Sequence, residues 1–163
     1  HGLVDLARYF RDRPVILRFI EYMDVGSSNG WRLDDVVPAD EMLRAIAAEL
    51  PLEPIEPNYA GEVAKRYRFA DGSGEVGFIT SVTQPFCGGC HRARLSADGK
   101  LFTCLFAREG HDLRRLIRDD DADVETLRAH LAKLWGVRDD RYSERRSDET
   151  DDLPKVEMSY IGG

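Results

Sequence analysis

Cys87, Cys90 and Cys104 are the three cysteines of this chain, and they sit together in the segment PFCGGCHRARLSADGKLFTC, Pro85 to Cys104. Their spacing is Cys87-x2-Cys90-x13-Cys104. Three thiols are one short of a tetrahedral zinc site and odd in number for a disulfide framework. A two-residue gap lets two thiolates converge on one metal or cluster, and Gly88 and Gly89 are expected to give the tight turn that this needs. Three chemistries compete. The thiols could pack as small hydrophobes. They could bind zinc, with His91 or His111 as a fourth ligand, although His91 adjoins Cys90 and is poorly placed to close the same site. They could hold a [4Fe–4S] cluster by three ligands, which leaves one iron open to a substrate atom, because full ligation takes four. The spacing leaves zinc and iron–sulfur both open.

Arg92 and Arg94 follow in HRAR. On an extended strand, residues i and i+2 point the same way, so the two guanidiniums would form a fork suited to phosphate oxygens. A solvated pair on a hairpin is the plainer alternative. The chain end is unusual as well. VEMSYIGG places Val156, Met158, Tyr160 and Ile161 in a strand-like apolar pattern right up to Gly162 and Gly163. Two glycines with a carboxylate can enter a space where side chains would clash. An edge strand with a frayed stub is the alternative.

The elements that must position these residues follow from pattern. The 163 residues, 42% of them hydrophobic, suffice for one domain or two very small ones. The formal net charge of −7 argues against a nucleic-acid partner. No apolar run approaches the roughly 20 residues that span a bilayer, and no signal peptide is evident, so no membrane association and a cytoplasmic location are expected. In a reducing compartment, clustered cysteines point to metal or redox chemistry. LVDLARYFRDRP reads as the end of a helix. VILRFIEYM, Val15 to Met23, reads as a parallel strand buried on both faces. Such a strand needs parallel neighbours, and the chain opens with His1 rather than Met, so it is expected to be the C-terminal part of a longer polypeptide.

DVGSSNGWRLDD reads as a loop, and PADEMLRAIAAEL as a helix with Met42, Leu43, Ile46 and Leu50 on one stripe. PLEPIEPNY is extended. AKRYRFADGSGEVGFITSVT predicts two strands that turn at Asp71 to Gly74, and RARLSADGKLFTCLF a second hairpin turning at Asp98-Gly99, with Cys104 on its returning strand. HDLRRLIRDD and VETLRAHLAKLWGV read as amphipathic helices. The charged stretch from Arg138 to Asp152 is expected to be mobile.

RFIEYM, YRFADGSGEVGFITSVTQPFCGGCHRARLSADGKLFTCLF and VEMSYIGG resemble the C-terminal half of the GTP 3′,8-cyclase family, the molybdenum cofactor biosynthesis protein A family of the radical S-adenosylmethionine superfamily. The likeness runs from about Pro14 to the end. It implies an α/β fold: the last part of an incomplete (β/α)6 TIM-type barrel over residues 1–51, and an α+β extension with antiparallel hairpins over residues 52–163 that covers the open side. It implies that Cys87, Cys90 and Cys104 hold a [4Fe–4S] cluster whose open iron meets the guanine of GTP. By the same likeness Arg92 and Arg94 hold the triphosphate, Arg18 and Met23 approach S-adenosylmethionine, and Gly162 and Gly163 enter the active site. The implied reaction is a lyase-class cyclisation in molybdopterin biosynthesis. A 5′-deoxyadenosyl radical takes the ribose H3′, and C3′ then attacks guanine C8. The product is (8S)-3′,8-cyclo-7,8-dihydroguanosine 5′-triphosphate, which passes to a downstream cyclic pyranopterin monophosphate synthase.

The departure from the family is large. The N-terminal CxxxCxxC that holds the S-adenosylmethionine-cleaving cluster is absent, so S-adenosylmethionine and the second [4Fe–4S] cluster are expected to depend on an N-terminal half, and this chain is expected to be inactive by itself. The oligomeric state is left open, a homodimer included. Two rival readings are a stand-alone zinc-binding interaction module and a fragment of a radical enzyme that modifies peptides. The second usually uses more cysteines and gives no reason for the arginine pair.

Overall fold

The structure is a computed structural model, and it describes residues 2–118, 123–145 and 155–161. The chain divides into two compact units, residues 1–23 with 31–89, and residues 24–30 with 90–163. Among the described residues no helix is long and apolar enough to cross a membrane.

The first unit contains helix α1 (Gly2–Phe10), strand β1 (Leu17–Ile20), helix α2 (Ala39–Ala47) and strands β2 (Leu52–Ile55), β3 (Ala64–Phe69) and β4 (Glu75–Ile79). The four strands form one mixed sheet in the order β1-β4-β3-β2. β1 runs parallel to β4, with Leu17 opposite Val76 and Phe19 opposite Phe78. The other two pairings are antiparallel. Pro54 has no N–H to donate, and it is tolerated because β2 is an edge strand. The hairpin between β3 and β4 turns where expected: Gly72 is left-handed (φ +76°), and the Asp71 carboxylate accepts from the Ser73 N–H and hydroxyl. A Cβ on Gly74 would collide with the Arg11 carbonyl, so only glycine lets α1's exit pass this close.

One core forms where both helices lie on the sheet. Ala7, Phe19, Met42, Ile46, Leu50, Phe69, Val76 and Phe78 are buried in it. The Phe19 and Phe78 rings stack at 5.7 Å. The expected stripe on α2 is therefore the face that packs. β1 differs from expectation. It is four residues long, and only its Phe19 face is covered, while Ile16 and Ile20 are 45% and 53% exposed. Apolar residues on both faces signal a demand for two covers, and this unit supplies one.

The second unit contains strands β5 (Arg94–Leu95), β6 (Lys100–Phe102) and β7 (His111–Asp112) and helices α3 (Arg114–Ile117) and α4 (Val124–Gly136). The strands form an antiparallel sheet in sequence order. The β5–β6 hairpin turns through left-handed Gly99 (φ +81°), as its Asp-Gly pair predicts. HDLRRLIRDD is not a single helix. Its first two residues pair with β6, and α3 is one short turn. α4 has the expected half-buried stripe of Leu127, Leu131 and Leu134. The expected mobility of Arg138 to Asp152 does not hold for residues 138–145, which carry a 3-10 turn at Tyr142–Glu144 and a half-buried Arg138. The rest of that stretch lies outside the described residues.

One buried carboxylate ties the first unit together. Glu21, 1% exposed, directly follows β1. It accepts from the Ala39 N–H (2.8 Å) at the start of α2, from the N–H groups of Val82 (2.7 Å) and Thr83 (2.8 Å), and from the Thr83 hydroxyl (2.5 Å). Burial pushes its carboxyl up, but the bonds from Thr83, Ala39 and Val82 outweigh that and hold it below the ordinary carboxylate value.

Glu21→Ala leaves the buried N–H groups of Ala39 and Val82 and the part-buried one of Thr83 without their acceptor, so urea unfolding should show a loss of at least about 2 kcal/mol. A depressed carboxyl contributes stability that is fully present above its ordinary value of 4.5 and is lost as pH falls through its folded value. Stability should therefore fall more steeply with acid in the native protein than in Glu21→Gln. Equal slopes would contradict the assignment.

Candidate functional site

The first cysteine is placed by the loop that leaves β4. Glu21 holds Val82 and Thr83, and the Thr80 hydroxyl donates to the Gln84 carbonyl at 2.8 Å. The chain then reaches a 3-10 turn over Cys87–Gly89, closed by the Gly89 N–H on the Phe86 carbonyl. The tight turn is present, but neither Gly88 nor Gly89 is left-handed in it. A right-handed 3-10 turn accepts any residue, so the backbone does not require these glycines. A Cβ on Gly89 would meet nothing within 4 Å, so what glycine provides there is open space.

Cys90 belongs to the second unit. Its sulfur accepts from Arg92 Nε (3.4 Å) and Nη2 (3.3 Å), and its carbonyl accepts from Arg138 Nη1. Arg138 is fixed in turn by Asp140 (3.0 Å) and lies over the Trp135 ring at 4.8 Å. Burial pushes the Cys90 thiol up. The Arg92 backbone and guanidinium and the Arg138 guanidinium more than offset it, and the thiol is held below its ordinary value. Cys104 lies in a bend just past β6 rather than on the returning strand itself. Phe106 follows it and stacks on Tyr142 at 4.7 Å.

The two arginines do not form the expected fork. Arg92 precedes β5, is exposed, and turns back onto the Cys90 sulfur. Arg94 opens β5, is half-buried, and Nη1 reaches the Ile161 carbonyl at 3.5 Å. The i, i+2 rule needs both residues on the strand, and β5 is too short to hold Arg92. Arg18 lies on β1 opposite Gly77, on the face away from the core, and pairs with Glu62 at 3.2 Å. Met23 lies past the strand end and is half-buried. The strand-like tail is a turn over 158–161 instead, and Ile161 is 1% exposed. Gly162 and Gly163 lie outside the described residues.

None of the three cysteines forms a disulfide, and each is half-buried. Among the described residues, no three His, Cys, Asp or Glu side chains are gathered closely enough to hold a metal ion. His91 and His111 are exposed, and neither is drawn into such a group. By chemistry, thiolate sulfurs are the soft donors that iron–sulfur clusters take, and Cys90 is already biased toward that form. Arg138 was not evident as a site residue, since it opens a stretch that reads as solvated charge. Glu21 was not evident either, although an acidic residue inside the apolar run FIEYM is a signal of a buried, satisfied carboxylate.

Two compact α/β units, with Cys87 on a turn of the first and Cys90 and Cys104 flanking the hairpin of the second, are the class that these features define. The family profile described as Molybdenum Cofactor Synthesis C matches residues 15–144. The chain is 49% identical to a GTP 3′,8-cyclase of Acidothermus cellulolyticus, over 98% of this chain and 51% of that protein. It is 51% identical to one of Xanthomonas campestris pv. campestris, over 99% and 47%, and 46% identical to one of Staphylococcus carnosus, over 99% and 48%. The chain belongs to the Molybdenum Cofactor Synthesis C family, and it spans about half the length of the curated relatives it matches.

In metal-free protein, the pH midpoint for alkylation of Cys90 by iodoacetamide should lie below the ordinary thiol value of 9.0. Arg92→Ala and Arg138→Ala should each move it up. A midpoint unchanged in both variants would contradict this account of the loop.

Proposed function

We propose that this chain is the substrate-holding part of a GTP 3′,8-cyclase, acting in molybdenum cofactor biosynthesis. The observation that carries the reading is the cysteine loop, with an arginine-biased thiol, in a chain about half identical over nearly its whole length to proteins of that name. In this reading residues 1–51 are the last part of the barrel and residues 52–163 its cover. Cys87, Cys90 and Cys104 hold the cluster. When bound, a three-cysteine [4Fe–4S] group offers an open iron that takes an atom of the guanine.

The chain's own residues do the positioning. Arg92 and Arg94 bind the triphosphate as charge-assisted donors, Arg92 exchanging its contact with the Cys90 sulfur for phosphate oxygen. Arg94 stands between the hairpin and the Ile161 carbonyl, so it can hold phosphate and tail together. Arg18 and Met23 face S-adenosylmethionine. Gly162 and Gly163 enter beside the ribose, where missing side chains leave room. A radical abstraction depends on aim and on exclusion of water more than on acid–base strength, so fixing both ends of the nucleotide is the main contribution.

The test uses the polypeptide that also carries the upstream half. Arg92→Ala or Arg94→Ala should weaken GTP binding roughly ten- to a hundredfold while leaving guanosine binding nearly unchanged, since a contact to a charged group contributes about 1.5–3 kcal/mol. Equal losses for nucleotide and nucleoside would overturn the assignment. Gly162→Ala and Gly163→Ala should keep the melting temperature and GTP binding but lose about a hundredfold in cyclisation. Full activity in a variant lacking both glycines would remove them from the reaction.

A further inference from the structure

The second unit spends an unusual number of polar contacts on its last described segment. Lys155 donates to the buried Asp24 carboxylate at 3.2 Å, and the Tyr142 hydroxyl donates to the same oxygen at 2.8 Å. Two residues on, Glu157 accepts from the Ser27 N–H at 2.8 Å and from the Ser28 hydroxyl at 3.0 Å. Gly26 is left-handed (φ +69°), and a Cβ there would collide with the Glu157 carboxylate. Three residues further, the Tyr160 hydroxyl donates to Asp98 in the hairpin turn at 2.7 Å, and its ring meets Phe102 edge-on at 6.2 Å. Ile161 is buried, and its carbonyl faces Arg94.

A segment without regular secondary structure is held only if its contacts offset about 1–2 kcal/mol per residue in backbone entropy. Here four contact points lie within seven residues, on two separate supports: the 24–30 loop and the β5–β6 hairpin. The first two go to the loop and the last two to the hairpin, and this order fixes register, since sliding by one residue would unmake every one of them. The second support also carries part of the predicted site: the hairpin holds Arg94 and leads to Cys104.

We propose that Glu157 and Tyr160, with Lys155, are positioning residues that clamp the C-terminal segment in register on the 24–30 loop and the β5–β6 hairpin, and so fix the point from which Gly162 and Gly163 enter the reaction. This rests on the reading that those glycines act in the chemical step. The clamp residues touch neither substrate nor cofactor; they act through the segment they hold. Lys155 is less suited to a test, because removing it strands a buried carboxylate and endangers the fold. Glu157 and Tyr160 are milder.

The experiment again uses the polypeptide with its upstream half. Hydrogen exchange is followed in the peptide that ends at Gly163, alongside cyclisation kinetics, for Glu157→Ala, Glu157→Gln and Tyr160→Phe. Faster exchange is expected in Glu157→Ala and Tyr160→Phe, with kcat reduced roughly ten- to a hundredfold and KM for GTP unchanged. Glu157→Gln keeps an acceptor for the Ser27 N–H and should fall between. In a chain lacking Gly162 and Gly163, the same substitutions should cost nothing further, because their effect passes through those glycines. Unchanged exchange in both variants, or the same additional loss in the shortened chain, would overturn the clamp. Faster exchange with undiminished kcat upholds the clamp and overturns the tail's part in the reaction.

Discussion

The Glu21 carboxylate is the point at which strand, helix and cysteine loop of the first unit meet. It sits directly after β1, where the chain leaves the sheet. α2 starts at Ala39 after Pro38, which has no side chain able to cap it, and Glu21 supplies the missing acceptor from outside the helix. The same two oxygens hold Val82 and Thr83 as the chain leaves β4 toward Cys87. A buried carboxylate without partners would be costly, but this one is fully engaged and remains charged. The apolar core sets how β1, β4 and α2 stack; Glu21 sets where the cysteine segment departs.

The second unit uses a different device. The cysteine segment there is short of regular structure, and arginines take over the task. Arg138 holds the Cys90 carbonyl, Arg92 covers its sulfur, and Arg94 faces the C-terminal segment. Each guanidinium presents several donors in a plane, so one side chain can satisfy a backbone oxygen and a carboxylate together, as Arg138 does with Cys90 and Asp140. A chain with a net charge of −7 thus keeps two guanidiniums on Cys90.

Local signals made much of this legible. The Asp-Gly turns, the α2 stripe and the paired strands of both hairpins follow from short-range rules, and the structure has them where those rules put them. The departures come from long-range contacts. Ile16 and Ile20 read as buried, but periodicity reports that a face wants a cover and not whether this chain provides one. Arg92 and Arg94 read as a fork because β5 was expected to be longer. The tail reads as a strand because Val156, Met158 and Tyr160 alternate, yet Glu157 and Lys155 bind side chains and backbone more than a hundred residues away in sequence and bend it into a turn. His111 and Asp112 read as helix and form a strand because β6 offers a free edge.

The central claim is that Cys87, Cys90 and Cys104 are ligands of one iron–sulfur cluster. Iron, sulfide and zinc analysis of anaerobically reconstituted protein tests it most directly, because this chain has no other cysteine. The account predicts iron and sulfide in the amounts of one [4Fe–4S] group per chain, a magnetic resonance spectrum that shifts when GTP is added, and loss of that group when the three cysteines are replaced by serine. One zinc and no iron, with no response to GTP, would contradict it.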